Sequence, residues 1–355
     1  MIGLHLYRCP ACSGTLADQR DAWVCAGCAA RYEVRRGVPL LMRAKSASPG
    51  FVGVMKRKYD QPDRFLDLAE ASGWEAALRS IQVPGEPDRM REAIAPNRVS
   101  WRQAAGVEPA SLVVDIGAGT GGVGCQLAAE CDVISIDRSF VDAAFVAIRA
   151  KQAGLPSLSS VVAEGCDLPL ASGIADVVTL IGVLEWIPVD FPDRDPRESQ
   201  LRALREVRRV LKPGGRLYLA IENRYYFGYF LGIPEPHARL RHLSLMPRAD
   251  ADRYSRETRH HAYLEMTHSL SEYMQLLEES GFGRVDPYWL HPNYRLTHFL
   301  VPAGHPQAAQ WFADQLLDPR KFDGLLGQKL YVLYRFAPPQ CRVDFVRDFG
   351  FVAHA

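Results

Sequence analysis

The chain has 355 residues, 48% hydrophobic, with a net charge of +1 at pH 7. That length exceeds one small domain and points to a catalytic-sized unit with additions. The near-neutral balance excludes a polybasic nucleic-acid binder or a membrane-surface protein on charge alone, and no uninterrupted apolar run approaches a membrane span. The N-terminus lacks the apolar core of a signal peptide, so a cytoplasmic location is expected. Its eight cysteines are then expected reduced or metal-bound.

In chain order, Cys9-Pro-Ala-Cys12 and Cys25-Ala-Gly-Cys28 are two C-x-x-C knuckles twelve residues apart. Each knuckle turns two thiolates toward one point, and two of them make a tetrahedral S₄ site suited to structural Zn²⁺. A hairpin over Gly14 to Val24 and a strand over Arg31 to Leu41 complete a ribbon spanning 1–43. The pattern C-P-x-C…C-x-x-C…Y…G-V-P-L-L resembles the small zinc ribbons related to an activator of tRNA methyltransferases. It also resembles the ribbon ahead of the catalytic domain in a bacterial ribosomal-RNA guanine methyltransferase family. The other cysteines, Cys125, Cys131, Cys166 and Cys341, are scattered and imply no bridge.

Residues 44–110 read as a helical connector. Ser46-Ala-Ser-Pro-Gly50 is a linker, and helical patterns cover Phe65 to Ser80 and Asp88 to Ala105, the second broken at Pro96. Arg98 and Trp101 could line a pocket beneath it, though ordinary packing and a solvated arginine are the preferred reading of each.

Leu112 to Gly124 reads as a buried strand, a glycine-dense turn and a helix start. That geometry delivers a nucleotide-like ligand to a helix N-terminus. Gly119, Gly121 and Gly124 satisfy G-x-G-x-x-G, a weak dinucleotide signal. Asp115, Gly117, Gly119 and Gly121 also satisfy D-x-G-x-G-x-G, which resembles motif I of the class I S-adenosylmethionine (SAM) methyltransferases. A second strand, Cys131 to Asp137, ends in an acid placed to accept hydrogen bonds from ribose hydroxyls in either ligand. The helix Phe140 to Gln152 and a third strand, Leu158 to Ala163, follow. Glu164-Gly-Cys-Asp-Leu-Pro-Leu-Ala171 resembles the family's D-A-x-x-L-P-F, with Glu164 or Asp167 in the adenine-contacting position.

Strand four, from Ala175, runs into Gly182-Val-Leu-Glu-Trp186, which resembles F-D-x-V-x-x-x-x-V-L-E-H-I. Tryptophan stands where the motif has histidine, so the base is left unassigned; Glu185 could orient a substrate, bind a metal or cap a turn. An amphipathic helix, Glu198 to Leu211, carries Arg202, Arg205, Arg208 and Arg209 on its outer side, read as a solvated face over an RNA stripe. The run E-V-x-R-V-L-K-P-G-G-R-L, leading into strand five at Arg216 to Ile221, resembles a common class I methyltransferase signature with no counterpart in a dehydrogenase.

Residues 223–265 form a long insertion rich in Tyr, Phe, His and Arg, expected to act as a lid over the acceptor. Tyr225, Tyr226, Phe227 and Tyr229 either stack on an acceptor or pack the lid down. A helix over Thr267 to Ser280, strand six from Arg284 to Leu290, an insertion at 291–327 and a last antiparallel strand at Gln328 to Phe336 complete the domain. The tail 337–355 is unassigned.

The expected fold is α/β: a Rossmann-like, doubly wound seven-stranded sheet of the class I methyltransferase type over 111–336, preceded by a small zinc ribbon. The resemblance implies SAM contacts at Asp115, Gly117, Gly119, Gly121, Asp137, Glu164, Gly165, Asp167 and Gly182. Acceptor contacts are expected at Trp186, Asn223, Tyr225, Tyr226 and His261, and catalytic roles at Glu185 and His237. The expected activity is in-line methyl transfer to a small molecule or glycan intermediate. The alternatives are an RNA methyltransferase and a non-catalytic SAM-fold partner docking through its ribbon. No membrane partner is expected, and the sequence sets no oligomeric state.

Overall fold

The computed structural model describes residues 2–43, 59–82 and 88–355. The expected linker at Ser46 to Gly50 lies outside the described residues.

The ribbon is a four-stranded antiparallel sheet, β1 (Leu16–Asp18), β2 (Ala22–Cys25), β3 (Arg31–Arg35) and β4 (Val38–Pro39). Eight further strands form the main sheet: β5 (Leu112–Ile116), β6 (Asp132–Asp137), β7 (Leu158–Val162), β8 (Ala175–Ile181), β9 (Leu211–Glu222), β10 (Arg284–His291), β11 (Phe299–Pro302) and β12 (Asp348–His354). Their order is β11-β10-β12-β9-β8-β5-β6-β7. β7, β6, β5, β8 and β9 are parallel, and β12 enters antiparallel between β9 and β10. Six of the seven expected strands are thus present, β12 takes the place of the seventh, and β11 is added at one edge.

The parallel strands read as apolar runs because both faces are covered. Val113, Val133 and Val177 face a core with Trp101 and Leu127, while Val114, Ile134 and Val178 face one with Leu201, Leu204 and Val207. Trp101 stacks on Tyr218 at 4.4 Å and 10°, so it is a core residue rather than a pocket wall. The connector forms helices at Pro62–Ser72, Trp74–Ser80 and Arg89–Ile94. Phe65 packs on Phe145 of the helix Phe140–Gln152, with ring centroids 5.0 Å apart.

Two expectations fail near the C-terminus. Gln328 to Phe336 is not the last strand: it belongs to a helix, Gly324–Phe336. Its β-rich composition is overridden by a four-residue burial period, with Leu330 and Tyr334 inside. The last strand is β12, within the tail left unassigned, so the sheet extends past residue 336. Its run Asp-Phe-Gly-Phe-Val-Ala is buried throughout.

The ribbon closes the opposite edge. Leu40 forms a parallel bridge with Val162, and Leu41 N–H donates to the Val162 carbonyl at 2.8 Å. Arg8 N–H donates to the Pro169 carbonyl, Ala171 N–H to the Leu6 carbonyl, and the Tyr7 hydroxyl to Ser159 Oγ at 2.7 Å. The ribbon thereby covers the C-terminal end of the edge strand β7. Among the described residues no helix is long and apolar enough to cross a membrane.

Candidate active site

The carboxyl ends of β5, β6 and β8 diverge around a cavity of about 250 Å³. Ile116, Gly117, Gly119, Asp137, Arg138, Asp142, Gly165, Gly182 and Trp186 are among its lining residues. Ligands of open parallel sheets bind at this position, where the strand order reverses. Gly117 has φ +73° and a Cβ there would stand 2.3 Å from Val183 Cγ2; Gly182 has φ +66° and a Cβ there would stand 2.6 Å from Tyr294 Oη. Both positions admit only glycine, which brings bare backbone to the cavity wall.

Asp137 accepts from Gly119 N–H at 2.9 Å and from Ser139 N–H at 2.8 Å, so one carboxylate joins the glycine turn to the start of the next helix. Arg138 pairs with Asp190 on the same wall. Asp142 accepts from the Tyr59 hydroxyl at 2.8 Å, which ties the connector to the site. Asp115 is buried beneath the turn and accepts from Thr179 Oγ1 at 2.7 Å. Burial pushes its carboxyl up, opposed by the Thr179 bond and the Arg98 charge. It is not among the residues lining the cavity. Asp167, expected beside the cofactor, instead pairs with Arg43 at the end of the ribbon, 3.0 Å away. Glu164 bridges back to Asp167 and also lies off the cavity lining, whereas Gly165 lies on it.

Behind Trp186 lies a second group. The Trp186 ring meets the His237 ring edge-on, with centroids 4.9 Å apart at 80°. His237 Nε2 is 3.7 Å from Glu185 Oε1 and 3.8 Å from Glu222 Oε2, and its Nδ1 contacts Glu235 Oε1. Glu235 is fixed in turn, accepting from Ala238 N–H at 2.6 Å. Burial opposes a proton on His237, but the charge of Glu222 and the contacts with Glu185 and Glu235 outweigh it and hold the imidazole well above its ordinary value. Burial, then the charge of Glu222, pushes Glu185 up to about 7. Asp348, paired with Glu222 across β12 and β9, is likewise pushed up to about 7 by burial.

Three expected acceptor residues lie elsewhere. Asn223 is fully buried; its Nδ2 donates to the carbonyls of Asp344 and Val346, both at 2.8 Å, and its Oδ1 accepts from Tyr225 N–H. It clamps the end of β9 to the segment entering β12. Tyr226 is buried edge-on against Tyr229 at 5.2 Å, and Phe227 stacks on Phe345 at 5.0 Å. These aromatics pack the lid down. His261 is exposed, with Nδ1 3.1 Å from the neighbouring Ala262 carbonyl oxygen. Tyr225 is half-buried under the Arg224 guanidinium, 5.3 Å from its ring centre. The sequence reading missed Glu222, Glu235, Arg138 and Asp348. The first two stand in the runs Glu222-Asn-Arg224 and Pro234-Glu-Pro-His237, which carry no local signal that pairs them.

At the ribbon, the Sγ atoms of Cys9, Cys12, Cys25 and Cys28 all lie within 4.8 Å of one another, with Cys12 to Cys25 at 3.4 Å and Cys9 to Cys28 at 3.7 Å. Four thiolates about 2.3 Å from one ion stand about 3.8 Å apart, so the cluster fits a metal. The backbone N–H groups of Cys28 and Gly27 point at Cys25 Sγ, and they pull its thiol down to about 6.

Residues 114–219 match the family described as a methyltransferase domain. The match begins in β5 and ends in β9, and so takes in the cavity-forming strand ends. Uncharacterized methyltransferases of Mycobacterium bovis and Mycobacterium tuberculosis are each 30% identical over 141 residues, which is 39% of this chain and 50% of theirs. The chain thus spans about half the length of those curated relatives. A solved phosphoethanolamine N-methyltransferase 2 of Haemonchus contortus is 15% identical, with a TM-score of 0.42 over 82% of this chain and 59% of that one.

Proposed function

We propose that this chain transfers a methyl group from SAM to a small molecule or glycan intermediate. The observation that supports it is the adjoining pair of sites: the glycine-lined cavity and, across Trp186, an enclosed cluster of Glu185, Glu222 and His237. The residues fit the cofactor. Gly117, Gly119 and Gly182 offer a cradle that a Cβ would obstruct or strain, Asp137 is placed for ribose hydroxyls, and Gly165 borders the adenine end. When bound, SAM supplies an electrophilic methyl on a good leaving group, so the protein's tasks are alignment and exclusion of water. Glu185 is the group proposed to receive an acceptor's proton, with His237, which keeps its own proton, beside it; Trp186 stands between them and the cavity, and Tyr225 lies within the lid.

An enclosed acceptor site favours a small acceptor. The four outer arginines of the helix Pro196–Val210 are also engaged within the protein. Arg202 donates to the Cys166 carbonyl, Arg205 pairs with Glu198, Arg208 donates to the Gly281 carbonyl and Arg209 pairs with Glu206. They do not form a free basic stripe for RNA. Cys9, Cys12, Cys25 and Cys28 are read as a structural Zn²⁺ site.

The test is methyl-labelled SAM with cell extract separated into low-mass and RNA fractions. Label entering the low-mass fraction, with little salt dependence, is expected. Label in RNA that falls steeply with added salt would overturn the acceptor reading.

A further inference from the structure

Glu185, Glu222 and His237 come from three separate elements: the turn after β8, the end of β9 and the lid. One ligand atom from each lies within 4.8 Å of the others. Their side chains are 0%, 7% and 4% exposed. Neither carboxylate oxygen of Glu185 has a hydrogen-bond partner among the described residues, and neither does Glu222 Oε2. Buried carboxylate oxygens without partners are costly, and a cation is one of the few groups that satisfies several at once.

The orientation of His237 has the form used by metal-bound imidazoles. Its Nδ1 is turned to Glu235, itself fixed by the Ala238 N–H. A carboxylate on one ring nitrogen leaves the other nitrogen's lone pair directed outward, here toward Glu185 and Glu222. The spans of 3.7 and 3.8 Å from Nε2 are too long for N–H···O bonds. Two ligands about 2.1 Å from a shared ion in a tetrahedral arrangement stand about 3.4 Å apart. A shift of a few tenths of an ångström would bring each histidine–carboxylate pair onto one ion.

We propose that Glu185, Glu222 and Nε2 of His237 hold a divalent transition-metal cation, of the Mn²⁺ or Zn²⁺ kind, with Glu235 as the carboxylate that orients His237. This centre is separate from the four cysteines. Two carboxylates and one imidazole suit such ions, and three protein ligands leave a coordination position open. The positive charge that the cluster otherwise holds as a proton on His237 would then reside on the ion. The inference deepens the acceptor reading above and rests on it for one point: the open position would take an oxygen of the acceptor, which makes that acceptor a hydroxyl or carboxylate compound. The existence of the metal site rests on the cluster alone.

The test is titration of the full chain with MnCl₂ in the absence of SAM, following the loss of the free-ion signal by electron paramagnetic resonance. The four-thiolate site is a poor host for Mn²⁺. Wild type should bind one Mn²⁺ per chain. Glu222→Gln and His237→Gln should weaken binding at least tenfold, Glu235→Gln about tenfold or more, and Cys12→Ser should leave it in place. Circular dichroism identifies any variant that has not folded. Should none fold, wild type alone decides: no Mn²⁺ bound, together with no more than one zinc per chain after Zn²⁺ loading and gel filtration, overturns the proposal. Unchanged Mn²⁺ binding by folded Glu222→Gln and His237→Gln overturns it too. Failure of the cofactor reading shows separately, as failure to bind S-adenosylhomocysteine.

Discussion

Replacing Asp137 isolates the link between the glycine turn and the cofactor. Its carboxylate accepts two backbone N–H bonds, from Gly119 at 2.9 Å and Ser139 at 2.8 Å. Hydrogen bonds to a charged acceptor contribute about 1.5–3 kcal/mol each. Asp137 is half-buried, so in the free protein water replaces part of what Asp137→Ala removes. The bound state has no such replacement, because the carboxylate would face the ribose while still holding the turn. The loss in S-adenosylhomocysteine affinity should therefore approach one charged bond, about 1.5–3 kcal/mol, or about 10- to 150-fold. Asp137→Asn keeps an acceptor oxygen but not the charge and should fall between wild type and alanine. Calorimetric titration of the three proteins reads this order directly. Affinity of the alanine variant within twofold of wild type would refute the reasoning, because Asp137 would then neither hold the turn nor face the ligand.

Other predictions concern the supports of the site. Gly182→Ala places a left-handed residue against Tyr294 Oη, at 2.6 Å; it should lose about 1–2 kcal/mol from backbone strain alone, and more as the ring is displaced. A melting temperature equal to wild type would contradict that packing. Cys12→Ser should cost one zinc per chain by elemental analysis and lower hydrogen-exchange protection at Leu41 and Ala171, whose N–H groups join the ribbon to the domain. Unchanged metal content would rule out the four-thiolate site. His268 is buried against Gln200, 2.8 Å away, and burial depresses its pKa to about 4. Between about pH 6.5 and 4 the unfolded chain binds this proton and the folded chain does not. Stability should thus fall with acidification by on the order of 3 kcal/mol over that window. His268→Asn should flatten the slope, and an unchanged pH profile by denaturant titration would remove His268 as its source.

The parallel half of the fold is legible in the sequence because its strands are buried on both faces and punctuated by glycine turns. Leu112 to Ile116 and Asp132 to Asp137 follow the apolar runs, and the paired knuckles mark the ribbon. Local pattern misleads where tertiary burial decides. Gln328 to Phe336 has strand-like composition but buries Leu330 and Tyr334 on one helical face. Asp348 to His354, a short apolar run beyond the expected domain end, becomes a central strand. The site divides in the same way. Gly117, Gly119, Asp137, Gly165 and Gly182 sit at fixed offsets from strand ends, and all five line the cavity. The cluster around His237 depends on Glu185, Glu222 and Glu235 meeting across as many as 49 intervening positions of chain, which no local pattern records. The lid aromatics marked the insertion, but whether Tyr226 faces a ligand or Tyr229 is set by packing alone.

The central claim is that the cavity at the ends of β5, β6 and β8 takes SAM. Its most direct test is calorimetry of the purified chain with S-adenosylhomocysteine, run beside NAD⁺. Micromolar binding of S-adenosylhomocysteine with no heat from NAD⁺ is predicted. Binding of NAD⁺, or of neither ligand, would contradict the assignment.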